Sequence, residues 1–293
     1  METILPEQYV PKILILVGSA GVEPWKAIEE QGQERTFGQA LPPNIRVLWV
    51  EANRQLETRL RFRLLDAFMR QRFEAFRVSY QTREVRPLLN FALSMASNFV
   101  VRAAMKRSAR SAPIHIARRR VQLRLPPNYH LHPYRSLETI EFALRNYEFD
   151  FLLKITSTCY VDIERLLSLV ADLPGTGVYG GEIYRKRKVS FVSGAATIFS
   201  RDVVEKIIEN RKKMRLDVHD DVSLGELLAR FGIAAPMFLP RCDAVGQSNA
   251  QLVELSRQPH GPYIYRCKTS PQTTDSSEPP IALMNKVHFL LQR

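Results

Sequence analysis

Apolar positions along this chain fall into two periods. Short apolar runs with few polar interruptions are the pattern of strands buried on both faces: Lys12 to Ala20, Asn44 to Ala52 after Pro42-Pro43, and Phe149 to Leu153. Elsewhere the apolar residues recur at helical spacing. Leu137, Ile140 and Leu144 do so within Tyr134 to Asn146. Asp162 to Leu173 has a carboxylate placed to cap it, and Arg201 to Asn210 has Ser200 as N-cap. In His219 to Phe231, Val222, Leu224, Leu227 and Leu228 share a face that ends at Gly232. Val121 to Leu125, Gly177 to Tyr184 and Phe191 to Ser200 read as further strands, the last two carrying small residues where a ligand or second backbone comes close. From Asn249 periodic features are few until a final helix at Ile281 to Leu291, and Pro271 to Pro280 reads as a loop. Strands alternating with helices predict an α/β fold whose sheet is joined by helical crossovers.

The apolar run at Phe149 stops at Lys154 and is followed by Thr156, Ser157 and Thr158, then by Tyr160, Val161 and a helix. In an open α/β sheet, ligands gather beyond the carboxyl ends of strands, so this polar triplet is expected to floor a binding site. The first strand ends similarly, in Gly18, Ser19, Ala20 and Gly21 before Pro24 and Trp25. Free backbone N–H groups at such a turn suit a phosphate or base, although small residues also serve any sharp turn. The adjacent acids Asp220 and Asp221 open a helix. They fit either dipole-stabilising caps or a pocket in which like charges make one carboxylate a general base. The six histidines lack paired metal-ligand spacing, as do Cys159, Cys242 and Cys267; this cysteine usage suits a reduced, cytoplasmic compartment. No signal peptide or run long enough to span a bilayer is visible, and P-loop, nucleophile-elbow and G-x-G-x-x-G motifs are absent.

Charge changes the picture in one place. The chain carries a formal +12, and the whole excess lies between Arg54 and Arg120, where fifteen arginines and one lysine face Glu57, Asp66, Glu74 and Glu84. Leu60, Leu64, Leu65, Phe68, Met69, Phe73 and Phe76 recur there at helical spacing among arginines. An uncharged run, Leu88 to Val101, follows between Arg86 and Arg102, and then Lys106, Arg107, Arg110 and the triplet Arg118-Arg119-Arg120. Such a segment suits an anionic membrane interface, making the protein peripheral there. The alternative is a helical insertion packed on the parent domain by its apolar face, with its arginines in water. Nucleic acid is not expected as a partner, because no binding motif accompanies the arginines and Leu88 to Val101 is poor at contacting a polyanion.

Four motifs, in order between Tyr134 and Pro236, resemble the beta-1,3-glycosyltransferases of the Fringe and galactosyltransferase type. They are Phe151-Leu152-Leu153-Lys154 with Tyr160-Val161; Tyr179-Gly180-Gly181; Ser193-Gly194-Ala195 with Ser200-Arg201-Asp202; and Asp220-Asp221-Val222 with Gly225, followed by Phe231-Gly232-Ile233. Lys12 to Trp25 is similar to that family's first strand and donor loop, and residues 54–120 have no counterpart in it. The resemblance implies a GT-A-like nucleotide-sugar fold with a central mixed, mostly parallel sheet: one domain over residues 1–293, interrupted by the basic insertion at 54–120. It implies transfer of a sugar, with inversion, from a nucleotide-sugar donor (a UDP-sugar first) to a hydroxyl of a glycan or lipid-linked acceptor. Asp221 would be the general base beside Asp220. Ser19, Lys154, Thr156, Ser157, Thr158 and His260 would lie on the donor side, and Ser193 and Gly194 on the acceptor side. One departure stands out: the family's metal-binding acids are Thr156-Ser157-Thr158 here, and hydroxyls are poor ligands for Mg2+ or Mn2+. Either cations such as Lys154, Arg266 or Lys268 neutralise the diphosphate without a metal, or the chain is a non-catalytic nucleotide- or glycan-binding relative.

Overall fold

The computed structural model describes residues 10–19, 21–53, 56, 60–82, 95–103, 114–117, 119–186, 189–268 and 278–292. The uncharged residues 88–94, the cations at 83, 86, 106, 107, 110 and 118, and the Ser/Thr/Pro stretch up to residue 277 lie outside them.

The first strand, β1 (Ile13–Ser19), leads through a short helix α1 (Trp25–Ala27) and a π-helical turn (Ile28–Gln33) to β2 (Ile45–Ala52), which pairs parallel with β1. Then come α2 (Leu60–Thr82), a helix α3 over 95–103, and β3 (Ile114–Ala117) with β4 (Arg120–Leu123), the latter parallel to β2. Next are α4 (His132–Asn146), β5 (Phe151–Thr156), β6 (Cys159–Val161) and α5 (Ile163–Asp172), followed by β7 (Tyr179–Lys186), β8 (Val189–Ser200), α6 (Arg201–Glu209) and α7 (Asp220–Arg230). The described chain closes with β9 (Met237–Phe238), β10 (Arg241–Asp243), α8 (Asn249–Arg257), β11 (Ile264–Arg266) and α9 (Pro280–Leu291).

Eight strands form one mixed sheet in the order β3-β4-β2-β1-β5-β8-β7-β9, and β10-β11-β6 form a small second sheet. The β4-β2-β1-β5 run is parallel throughout, whereas β8 lies antiparallel between β5 and β7. The α/β class expected from the alternating pattern is thus present, as is the mixed, mostly parallel sheet that the resemblance implies. The apolar runs have a direct reason: both faces of the sheet are covered. Leu14, Leu16, Leu48, Val50 and Leu152 point into one core with α2, α4, α6 and α7, while Ile13, Ile15, Val47, Trp49, Leu153 and Ile155 point into another with α5, α9 and the small sheet.

Several local expectations change. The segment after residue 54 is not helical throughout, since β3 and β4 lie within or across its end. Its apolar face does pack on the domain: Phe62, Leu65, Met69 and Val101 join the first core. Its arginines are only partly in water. Arg72 donates to Ser97 Oγ and faces Asp217, Arg102 donates to the carbonyls of Arg211 and Met214, and Arg119 donates to that of Gly38. Arg120 is ringed by Glu29, Glu34 and Glu51 and lies over the Trp49 ring. Ser200 occupies the N-cap position of α6, but its hydroxyl bonds Asp202 and the Val178 N–H instead of a helix N–H. Asp162 does cap α5, accepting from the Arg165 N–H. In the tail, α8 interrupts what reads as featureless sequence; a Ser248–Gln251 capping box starts it.

Candidate functional site

At the carboxyl ends of β1 and β5 lies a cleft of about 520 Å3. Gly18 and Trp25 border it from the first turn, Thr156, Ser157 and Thr158 from the β5–β6 turn, and Ser193, Gly194 and Ala195 from β8. His219, Asp220 and Asp221 come from the start of α7, His132 and Arg135 from the start of α4, and Arg266 and Lys268 from the end of β11.

The β5–β6 turn is held from behind. The buried Gln33 amide donates to the carbonyls of Thr156 (3.2 Å) and Cys159 (2.8 Å), and its own oxygen accepts from the Trp49 indole at 3.0 Å. The Cys267 N–H donates to the Thr158 carbonyl at 2.8 Å, tying the β11 end, and with it Arg266 and Lys268, to the same turn. Thr156 and Thr158 place their hydroxyls 3.3 Å apart. The donor set of this strand end is therefore hydroxyl. That set does not fit Mg2+ or Mn2+, which take carboxylates where proteins hold them firmly.

The two aspartates occupy different environments. Asp220 is buried: its Oδ2 accepts from Lys154 Nζ at 2.7 Å and from Ser136 Oγ at 3.1 Å, and lies 3.4 Å from His132 Nδ1. Burial alone would raise this carboxyl, but Lys154 and His132 hold it well below the usual carboxylate range. Burial pushes the His132 imidazole down against the pull of Asp220. Asp221 is half-exposed to the cleft. Its Oδ2 accepts from the Gly194 N–H at 3.2 Å and its Oδ1 from the Val222 N–H at 2.7 Å. A Cβ at position 194 would stand 3.4 Å from that Oδ2, in ordinary contact, so this approach alone does not demand glycine. Gly225 brings α7 this near β8: a Cβ there would lie 2.5 Å from Phe191 Cβ.

Of the residues singled out from sequence, Thr156, Ser157, Thr158, Ser193, Gly194, Asp220 and Asp221 meet in this cleft. Three do not line it. Lys154 is buried and committed to Asp220. Ser19 is buried behind Gly18, donating to Glu29 at 2.9 Å and accepting from the Gly21 N–H. His260 is exposed in the turn after α8. Ser193 Oγ accepts from Arg241 Nη1 at 3.0 Å, which anchors that hydroxyl. His132 and Arg135 are cleft residues that sequence reading passed over. They sit one turn apart at the start of a helix, and nothing in local spacing marks their approach to Asp220. Burial pushes the Arg135 guanidinium down to about 10, still charged at neutral pH.

No protein-family model matches this sequence, and no curated protein resembles it in sequence. Among solved structures, the chain is similar to a mannosyltransferase from Pyrobaculum calidifontis in complex with GDP-Man and Mn2+. Identity there is 12% and the TM-score 0.38, over 96% of this chain and 70% of that one. It is also similar to mouse xyloside xylosyltransferase 1 in its apo form, at 9% identity and a TM-score of 0.36, over 91% of this chain and 99% of that one. Likenesses of this degree say nothing about the chemistry of the cleft.

Proposed function

We propose that this protein is an inverting glycosyltransferase of GT-A-like architecture, which moves a sugar from a nucleoside diphosphate donor, a UDP-sugar first, to a hydroxyl of a glycan or lipid-linked acceptor, without a divalent cation. The observation that carries the reading is one cleft in which a carboxylate, Asp221, faces strand-end hydroxyls and a set of cations, Arg135, Arg266 and Lys268.

In this mechanism the donor diphosphate lies against Thr156, Ser157 and Thr158, whose hydroxyls donate to its oxygens, while Arg135, Arg266 and Lys268 compensate its charge. The acceptor hydroxyl is held beside Asp221. As its oxygen forms a bond to the anomeric carbon, its proton passes to the Asp221 carboxylate. The bond from that carbon to the diphosphate oxygen breaks on the opposite side, and the electron pair leaves with the nucleoside diphosphate. Asp220 is not the base, because it is buried and its charge is spent on Lys154. The Gly194 N–H orients Asp221 toward the acceptor.

A second reading, a non-catalytic relative that binds a nucleotide or glycan, is favoured by the hydroxyl triplet alone. Incubating the protein with a panel of nucleotide sugars and candidate acceptors in EDTA, and measuring nucleoside diphosphate release, separates the two. Release that is lost in Asp221→Asn supports transfer. Nucleotide binding without release from any pair supports the second reading.

A further inference from the structure

Helix α3 is built inside out. Its polar residues face the protein: Ser97 accepts from Arg72 Nε at 3.2 Å, Asn98 bonds the Leu216 N–H and the Met214 carbonyl, and Arg102 donates to the carbonyls of Arg211 and Met214. Its apolar residues, apart from the buried Val101, face away. Met95 is 57% exposed, Phe99 74% and Val100 41%, and Ala96 and Ala103 complete an outward face without a polar side chain. A helix on a water-facing surface has the opposite arrangement. Met95 and Phe99 stand four residues apart and so form one ridge along it.

Both elements that hold α3 carry exposed cations. The inward residues of α3 grip the turn at 211–216, which carries the exposed Lys212 and Lys213, and α2 nearby exposes Arg63 and Arg70 beside its own outward Leu64, 62% exposed. In sequence, α3 ends the uncharged run from Leu88 to Val101, within the segment that holds the chain's entire charge excess. An apolar ridge flanked by lysines and arginines fits a surface that is apolar within and anionic at its face, which is a lipid bilayer bearing acidic headgroups. A second copy of this chain would present the same cations to these, an electrostatic mismatch.

We infer that the α3 ridge, Met95, Phe99 and Val100, inserts into the headgroup region of an anionic membrane, with Lys212 and Lys213 against the acidic lipids. The inference stands independently of sugar transfer. Because Met95 and Phe99 are exposed, replacing them leaves the core intact, and removing each cation weakens binding about fivefold.

The experiment is flotation of the full chain with vesicles of phosphatidylcholine alone or mixed with phosphatidylserine. It uses wild type, Met95→Ser/Phe99→Ser and Lys212→Glu/Lys213→Glu, each checked for an unchanged unfolding midpoint. Expected is binding to the phosphatidylserine vesicles that weakens with salt and falls about tenfold or more in each double variant. A Phe99→Trp variant reports independently, with an emission blue shift on those vesicles. The inference is overturned if wild type ignores phosphatidylserine vesicles, if the Met95/Phe99 variant binds them as well as wild type, or if the emission of Phe99→Trp does not move. Lipid-free dimerisation that depends on Phe99, without vesicle binding, would also overturn it in favour of a second copy.

Discussion

The Lys154 ammonium lies 2.7 Å from Oδ2 of Asp220, with both side chains nearly sealed from water. This pair decides which of two adjacent aspartates is available for chemistry. Asp220 serves as a buried counter-ion at the foot of α7, and its neighbour Asp221 faces the cleft.

Breaking that pair leaves a buried charge without compensation. Lys154→Met is expected to destabilise the fold by about 3–5 kcal/mol in urea titration. The pH dependence has a definite sign. Because the folded state holds the Asp220 carboxyl below its ordinary value, its stabilising contribution is fully present above about pH 5 and drains away as acid approaches the depressed folded value. In Asp220→Asn that acid-limb loss should shrink.

Asp221→Asn keeps the shape of the side chain and removes its capacity to take a proton. Sugar transfer should fall by at least about a hundredfold with donor affinity unchanged, as read from initial rates and nucleotide titration. Equal rates in the two proteins would remove Asp221 as the base.

Gly225→Ala tests whether α7 must sit this close to β8. The added methyl would meet the Phe191 Cβ at 2.5 Å, and its Cα and the Ser190 carbonyl at 3.1 Å. Overpacking there is expected to cost about 1–3 kcal/mol despite the helix preference of alanine. By moving Asp221 off the Gly194 N–H, it should also lower turnover more than donor affinity.

Glu29 supplies a second pH signature. Burial raises its carboxyl from 4.5 to about 7, against opposing bonds from Ser19 and Arg120, and its Oε1 has no hydrogen-bond partner among the described residues. The folded chain therefore binds this proton more tightly than the unfolded one. Its contribution is full below about pH 4.5 and is lost as pH rises through 7, on the order of 3 kcal/mol. Glu29→Gln should flatten stability across that range, measured by urea titration at a series of pH values.

Local pattern was enough for most of the scaffold, because covering both sheet faces makes β1, β2 and β5 mostly apolar runs without the strict alternation of a half-exposed strand. It was enough for the strand-end hydroxyls and the Asp220-Asp221 pair too, since each sits at an element boundary. It was not enough where partners come from distant segments. Arg120 reads as one more free cation, yet its carboxylates arrive from the π-helical turn and from β2. Gln33 reads as an ordinary polar residue, yet its amide spans Trp49 and the floor of the cleft. Helix α8 was missed for another reason: it buries only Leu252, so its apolar period is faint, although the Ser248-x-x-Gln251 start signal was legible.

The proposed diphosphate site is built from hydroxyls and cations in place of a metal. Isothermal calorimetry with nucleoside diphosphates, in EDTA and again with added Mn2+, tests it most directly. The account predicts binding in EDTA that Mn2+ does not strengthen and that Arg266→Ala/Lys268→Ala weakens by about tenfold or more. Binding that appears only with Mn2+, or none for any nucleoside diphosphate, would contradict it.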